Sequence, residues 1–321
     1  MRIVFFGVVN IGLSCLKGLL ESGANVAGIF TANKQDMVKT SGMHPDYFSE
    51  FDDLAKAYNI PLYKVRDVSV PIDIESLKRL RPDIIFFIGW PQMVREDVLR
   101  LPPHGCVGIH PTLLPQRRGG APLNWCLIDG LDRSGVSLIY LESGVDSGDI
   151  IAQRPFKIEL EDNIKTVLDK VTAISAEMVK ESYPLLEKGI APRIPQDHRI
   201  ATYTWRRRPE QGLIDWNRTS LSLYNWVRAL SSPFPGAFTF CNGRKLLVWE
   251  AGLVKSYRPP LNAVPGQLVE IWENQGVIVS TTDHCILIKN LQWESAPDIQ
   301  RADLFMKANN IPIGTVLGGC R

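Results

Sequence analysis

In the stretch IHPTLLPQRRGGAPLNW, residues 109–125, one histidine stands between an apolar run and a proline. His110 is stiffened by Pro111 and by the LLP that follows, so its imidazole is held in one place, as a proton-transfer base requires. The competing reading is a core histidine that caps a strand. Downstream, ESGVDSGD (Glu142–Asp149) gathers two aspartates, two serines and two glycines in a loop. Asp146 from that loop, set beside His110, would stabilise the imidazolium and fix the tautomer. Taken alone, Asp146 reads as a turn residue that bonds its own backbone. His104, Cys106 and His110 are close in sequence, but an extended strand after a proline pair lacks the spacing of a zinc site, so no metal is expected.

These groups need elements to place them. Arg2 to Phe6 is a β-branched and aromatic run closing at Gly7, and Ile11 to Leu20 follows with helical spacing. Similar strand-like runs recur at NVAGIFT, DIIFFIGW and GCVGIH, separated by helical stretches such as DDLAKAYN and IESLKRL. Near-continuous apolar strands alternating with amphipathic helices predict a mostly parallel sheet with helices on both faces. Ligands bind at the carboxyl ends of such strands, where His110 falls. The Asp146 loop is expected on the same edge, after the SGVSLIYLE run.

After a long helical pattern over about Asn163 to Lys188, the segment GIAPRIPQDHRIATYTWRRRPEQG turns rich in Pro, Arg and Gly, as an interdomain connection would. A short helix (LSLYNWVRAL) and about five short strands follow, with CNGR as a hairpin turn, which predicts a small β-barrel. At 321 residues the chain is long enough for two domains. Its net charge of +2 gives no global reason to expect a polyanion partner. Six scattered cysteines without a CxxC pair are the usage of reduced intracellular thiols. The start MRIVFFGVVNIG has neither a basic n-region nor a cleavage site, and no apolar run reaches membrane-spanning length. The expected location is cytoplasmic.

HPTLLPQRRGGAPLNW, followed by SGV and then GVDSGD, resembles the folate-dependent formyltransferases, whose signature is Asn-x-His, then SLLP-x-x-RG, then an aspartate in an Asp-x-Gly loop. RRPEQGLIDWN and NWVRALSSPFPGAF look like the start of the small C-terminal barrel found in that family's tRNA and sugar-nucleotide members. The resemblance therefore covers essentially the whole chain. It implies a Rossmann-like formyl-transfer domain over 1–190, a linker over 191–208 and a small OB-like barrel over 209–321. Carried over by position, the catalytic residues are His110 and Asp146, and the family's asparagine falls on Gly108. That asparagine donates to the formyl oxygen, and losing such a donor costs about 100- to 1000-fold in rate. Gly108 could substitute a backbone N–H or room for a water, or Asn124 could reach in from the following helix.

The formyl donor implied is 10-formyltetrahydrofolate. Its pterin would sit against Ile88, Gly89, Trp90 and Gln92 and against Leu141, Gly144 and Val145, with Asp149 nearby and Phe87 or Trp90 covering its face. Trp90 reads equally well as core packing. On the acceptor side, Arg118 and Gly119 match the family's Arg-Gly step, where the arginine could meet a phosphate. Asn124 and Trp125 lie in APLNW, which looks like the acceptor-binding segment of the sugar enzymes.

The acceptor favoured is therefore a nucleotide-linked amino sugar. The tRNA enzymes carry a basic insertion after the second strand, whereas ANKQDMVKTSGMHPDYFSEFDD has no basic excess. Arg206 to Arg208 is read as a solvated face. Methionyl-tRNA stays open as an acceptor, as does hydrolysis of the formyl-folate, given Gly108. No membrane partner is expected, and a homodimer is left open.

Overall fold

The computed structural model describes residues 1–41, 43–65, 74–254, 257 and 259–318. The chain divides into two compact units. One comprises 1–122, 132–158 and 166–206, and the other comprises 123–131, 159–165 and the residues from 207 onward. The segment read as a connection thus belongs to the first unit as far as Arg206.

The strands of the first unit are β1 (Arg2–Phe6), β2 (Asn25–Ala32), β3 (Leu62–Val65), β4 (Ile84–Phe87), β5 (Cys106–His110), β6 (Arg118–Gly119), β7 (Arg133–Tyr140), β8 (Ile150–Lys157) and β9 (Tyr203–Thr204). Seven of them form one sheet in the order β3-β2-β1-β4-β5-β7-β8. All pairs from β3 to β5 are parallel. Ile3 to Phe6 and all of β4 are buried, which suits a sheet covered on both faces. Helices α1 (Asn10–Glu21), α2 (Lys34–Ser41), α3 (Asp52–Ala57), α4 (Ile74–Leu80) and α5 (Glu96–Leu99) alternate with these strands. The strand order reverses between β1 and β4, and crevices open at that point in doubly wound sheets. Helix α6 (Pro122–Ile128) precedes β7, and α7 (Ile164–Glu187) follows β8. Helix α7 buries Ile164, Val167, Val171, Ser175, Met178 and Ser182, the three-and-four spacing of one helical face.

The expected single edge for His110 and Asp146 needs correction. β7 runs antiparallel to β5, with His110 opposite Ser137 and Val107 opposite Tyr140, so β7 ends near the start of β5. The 141–149 loop must turn back over the sheet, past Gly108, to reach His110.

In the second unit, α8 (Ser220–Leu230) precedes β10 (Ala237–Cys241), β11 (Arg244–Leu253), β12 (Leu268–Trp272), β13 (Gly276–Ser280), β14 (Cys285–Trp293), β15 (Gln300–Arg301) and α9 (Ala302–Ala308). Asn242 and Gly243 both have positive φ, 50° and 76°, which makes CNGR a two-residue type I′ hairpin turn between β10 and β11. The antiparallel sheet runs β10-β11-β14-β13-β12, with β15 on β14. Among the described residues this path does not close into a barrel. Cys15, Cys106, Cys126, Cys241 and Cys285 are buried free thiols, and Cys320 lies outside the described residues.

Candidate active site

His110 ends β5 with its side chain 6% exposed, and both ring nitrogens face oxygen. Nε2 lies 2.7 Å from the Arg117 carbonyl, and since a carbonyl only accepts, Nε2 carries a proton. Nδ1 lies 3.3 Å from Asp146 Oδ2. The Asp146 side chain is the more open member, at 27% exposed, and its Oδ2 also accepts from the Gly119 N–H at 2.8 Å. Burial pushes the imidazole below the ordinary value of 6.5. Asp146 and the Arg117 carbonyl oppose that, and Arg118 adds to it. The neutral ring therefore turns its Nδ1 lone pair toward a carboxylate, an arrangement one proton short. A proton arriving between Nδ1 and Oδ2 would convert that contact into a charge-assisted hydrogen bond. Chemically this is a pair built to take up one proton.

The backbone around it is strained. Asp146 (φ 48°) and Arg117 (φ 59°) both lie in the left-handed region, at about 1–2 kcal/mol each for an L-residue. Strain of this kind gathers at functional sites and persists only where surrounding bonds impose it. Here those bonds come from the segment after α7. Arg118 and Gly120 donate to the carbonyls of Thr202 and Thr204, the Arg117 N–H donates to Thr202 Oγ1, and β6 pairs with β9. The chain that presents the Arg117 carbonyl to His110 and the Gly119 N–H to Asp146 is thereby zipped along its length. Gly119 (φ 97°) must be glycine, because a Cβ there would lie 2.5 Å from the Thr204 carbonyl oxygen.

Arg118 is not where an acceptor phosphate could meet it, which corrects the sequence reading. It is 1% exposed, and its guanidinium donates to Gln196 Oε1 (2.7 and 3.1 Å) and to the Tyr203 hydroxyl (3.2 Å), with His198 Nδ1 at 3.2 Å. Gln196, Thr202 and Tyr203 were missed in the sequence. The alternation in TYT is a weak strand signal for the last two, and Gln196 has none.

Two further readings change. Asn124 is buried in the second unit, where its amide donates to the Ala229 carbonyl at 2.7 Å, so it is committed there rather than free to replace the family's asparagine. At Gly108 a side chain would be crowded, since a Cβ would sit 2.9 Å from Leu141 Cδ2 and 3.1 Å from the Phe87 carbonyl oxygen. Trp125, also in the second unit, has the Arg207 guanidinium 5.0 Å from its ring centroid, and Trp226 lies 4.6 Å from the same guanidinium. Arg207 is accordingly not part of a solvated arginine face.

The residues assigned to the folate side divide by exposure. Phe87 is stacked on Phe6 at 4.5 Å and Ile88 is wholly buried, so both side chains serve the core. Trp90 meets Phe6 edge-on at 5.2 Å, and its buried Nε1 has no hydrogen-bond partner among the described residues. Gly89 (φ 67°) packs its backbone against Val9. Gln92 and Leu141 are half-buried, and Gly144 and Val145 are exposed on the loop. Asp149 lies 4.0 Å from Arg193, whose guanidinium covers the Tyr140 ring at 3.6 Å. No cluster of three metal-ligating side chains occurs among the described residues.

Residues 1–182 match the formyl transferase family and residues 207–309 match the formyl transferase C-terminal domain. The chain belongs to the formyl transferase family. It is 32% identical to the methionyl-tRNA formyltransferase of Syntrophus aciditrophicus, over 99% of both chains. Among solved structures, HypX from Aquifex aeolicus in complex with tetrahydrofolic acid superposes with a TM-score of 0.68 at 19% identity. That likeness covers 98% of this chain and only 48% of HypX, about half its length. An N-formyltransferase from Helicobacter canadensis, in complex with folinic acid and dTDP-3-aminofucose, gives a TM-score of 0.66 at 17% identity over 90% of this chain and 98% of that one. At such identities the structures speak for the fold alone. The chain is a formyl-transferring enzyme.

Proposed function

We propose that this enzyme moves the formyl group of 10-formyltetrahydrofolate to the amine of a nucleotide-linked amino sugar, with Asp146 and His110 handling the proton. The observation that carries the reading is the His110–Asp146 pair within a formyl transferase chain. The acceptor amine attacks the formyl carbon, a new C–N bond forms, and the bond to the folate nitrogen breaks. Asp146, the open member, faces the amine and takes its proton onto the Nδ1–Oδ2 contact, and the pair returns a proton to the leaving nitrogen. On the folate side, Trp90 supports the donor. The buried Trp90 Nε1, without a partner among the described residues, stands in the loop after β4, at the reversal of strand order, and a pterin edge carries an acceptor for it.

Charge supports the small acceptor. Between Ala32 and Asp53 the chain has Lys34 and Lys39 against Asp36, Asp46, Glu50, Asp52 and Asp53, an unfavourable surface for phosphates. Of the arginines at 206–208, Arg207 is spent between two indoles and Arg206 donates to the Pro91 carbonyl. The second reading, methionyl-tRNA, is favoured by the names of relatives about 30% identical over nearly the whole chain.

Incubation with 10-formyltetrahydrofolate and a panel of nucleotide-linked amino sugars, beside methionyl-tRNA, separates the two. Tetrahydrofolate release with a mass gain of one formyl group on a sugar is the expected result. Formylation of the tRNA alone selects the second reading, and folate turnover without any acceptor means hydrolysis.

A further inference from the structure

Gln196 lies in the aperiodic segment after α7, 50 residues from Asp146 in sequence, and it is buried. Its Nε2 donates to two carbonyls of the aspartate turn, Asp146 O at 2.9 Å and Gly148 O at 2.7 Å. Its Oε1 accepts from Arg118 twice, at 3.1 and 2.7 Å. A side-chain amide has two hydrogens to give and two lone pairs to offer, and all four are in use. Reversing the amide would set oxygen against two carbonyls and NH2 against a guanidinium, so the surroundings admit one orientation.

We propose that Gln196 is the positioning residue of Asp146, tying the backbone of its turn to the buried Arg118 guanidinium and so holding the carboxylate on His110. The turn needs such a tie. Its preceding residues Glu142 to Val145 are exposed, Asp146 is left-handed, and the Gly119 N–H restrains only the carboxylate, not the backbone that carries it. Gln196 is itself moored two residues earlier, where Ile194 and Ile150 exchange backbone hydrogen bonds at 2.8 and 3.0 Å. Arg118 is moored by the Tyr203 hydroxyl at 3.2 Å. Gln196 touches no reacting atom and acts through Asp146. The inference rests on the formyl-transfer reading for its catalytic meaning.

Two variants separate holding the turn from merely satisfying the arginine. Gln196→Glu keeps the acceptor for Arg118 but has no N–H for the two carbonyls, and Gln196→Met removes both sets. Each should lower kcat by roughly 10²-fold, the cost of a displaced catalytic group, with the KM for 10-formyltetrahydrofolate little changed. The second readout needs no turnover: the His110 ring, followed by NMR in folded protein. Asp146 holds the imidazole up against burial. Loosening the turn should therefore move the titration midpoint further down in Gln196→Met, which adds no charge beside Arg118. A Gln196→Glu enzyme with wild-type kcat, or a folded Gln196→Met protein with the His110 midpoint where it was, would overturn the assignment. A wild type that releases no tetrahydrofolate with any amine sinks the formyl-transfer reading instead, and the titration still decides whether Gln196 holds Asp146. Should Gln196→Met fail to fold, the uncharged Gln196→Leu carries the titration and Gln196→Glu, which retains the Arg118 contacts, carries kcat.

Discussion

At the scale of single residues, the proposed proton handling makes His110 and Asp146 one unit. His110→Gln and Asp146→Asn should each reduce kcat by about 10²- to 10⁴-fold, the usual worth of a positioned acid–base group. The double variant should be little worse than either single, since a shared proton site is lost once. Independent, multiplicative losses in steady-state assays would dissolve the pair. Asparagine is the better probe at 146 because it tolerates left-handed backbone, which alanine does not. The pH dependence has a definite sign. Burial lowers the folded-state value of His110 below 6.5, so on acidification the unfolded chain takes up its proton before the folded one. This contribution to stability is fully present above about pH 6.5 and is lost as pH falls through the folded value below it. The acid limb of kcat/KM should likewise lie below 6.5. A limb above that value would show the imidazole charged in the resting enzyme.

At the scale of elements, the antiparallel β7 decides how the site is assembled. Because β7 ends near the start of β5, its outgoing loop crosses Gly108 on the way to His110, and Leu141 fills the space a side chain there would use. Gly108→Asn should therefore destabilise by about 1–3 kcal/mol through overpacking against Leu141 and the Phe87 carbonyl. Combined with Leu141→Ala, the loss should be smaller than the sum of the two single losses, because each change makes room for the other. Urea unfolding of the four proteins measures the coupling, and strict additivity would mean that Leu141 does not occupy that space. Much at this scale was legible in advance. Buried runs such as IIFF announce a covered sheet, CNGR announces its hairpin, and a histidine at a strand end with an aspartate in a polar turn marks two candidates, which the family resemblance rather than their placement pairs. The direction of β7 was not legible, since an apolar run reads the same in either sense. Nor was the burial of Arg118, whose partners are an amide, a phenol and an imidazole supplied from about 80 residues downstream. Oppositely charged neighbours would have left a trace in the sequence, and neutral ones leave none.

At the scale of the whole molecule, charge separates the candidate acceptors. The chain carries 36 basic and 34 acidic residues, and within its 206–208 arginine run Arg207 lies against two indole rings. A tRNA acceptor would be gripped through many phosphates. A protein that makes six to ten phosphate contacts loses about 10³- to 10⁵-fold in affinity between 50 and 200 mM salt, as released counterions must be recaptured. A nucleotide-linked sugar brings only its diphosphate and has no condensed ion atmosphere to release. The kcat/KM for the acceptor should therefore fall by less than about tenfold across that salt range. The comparison is made with the formyl donor saturating, so that its own charges drop out. A thousandfold fall measured with methionyl-tRNA, in an enzyme that leaves every amino sugar untouched, would reassign the acceptor. It would leave His110, Asp146 and their proton where they stand, because the transfer chemistry asks only for an amine.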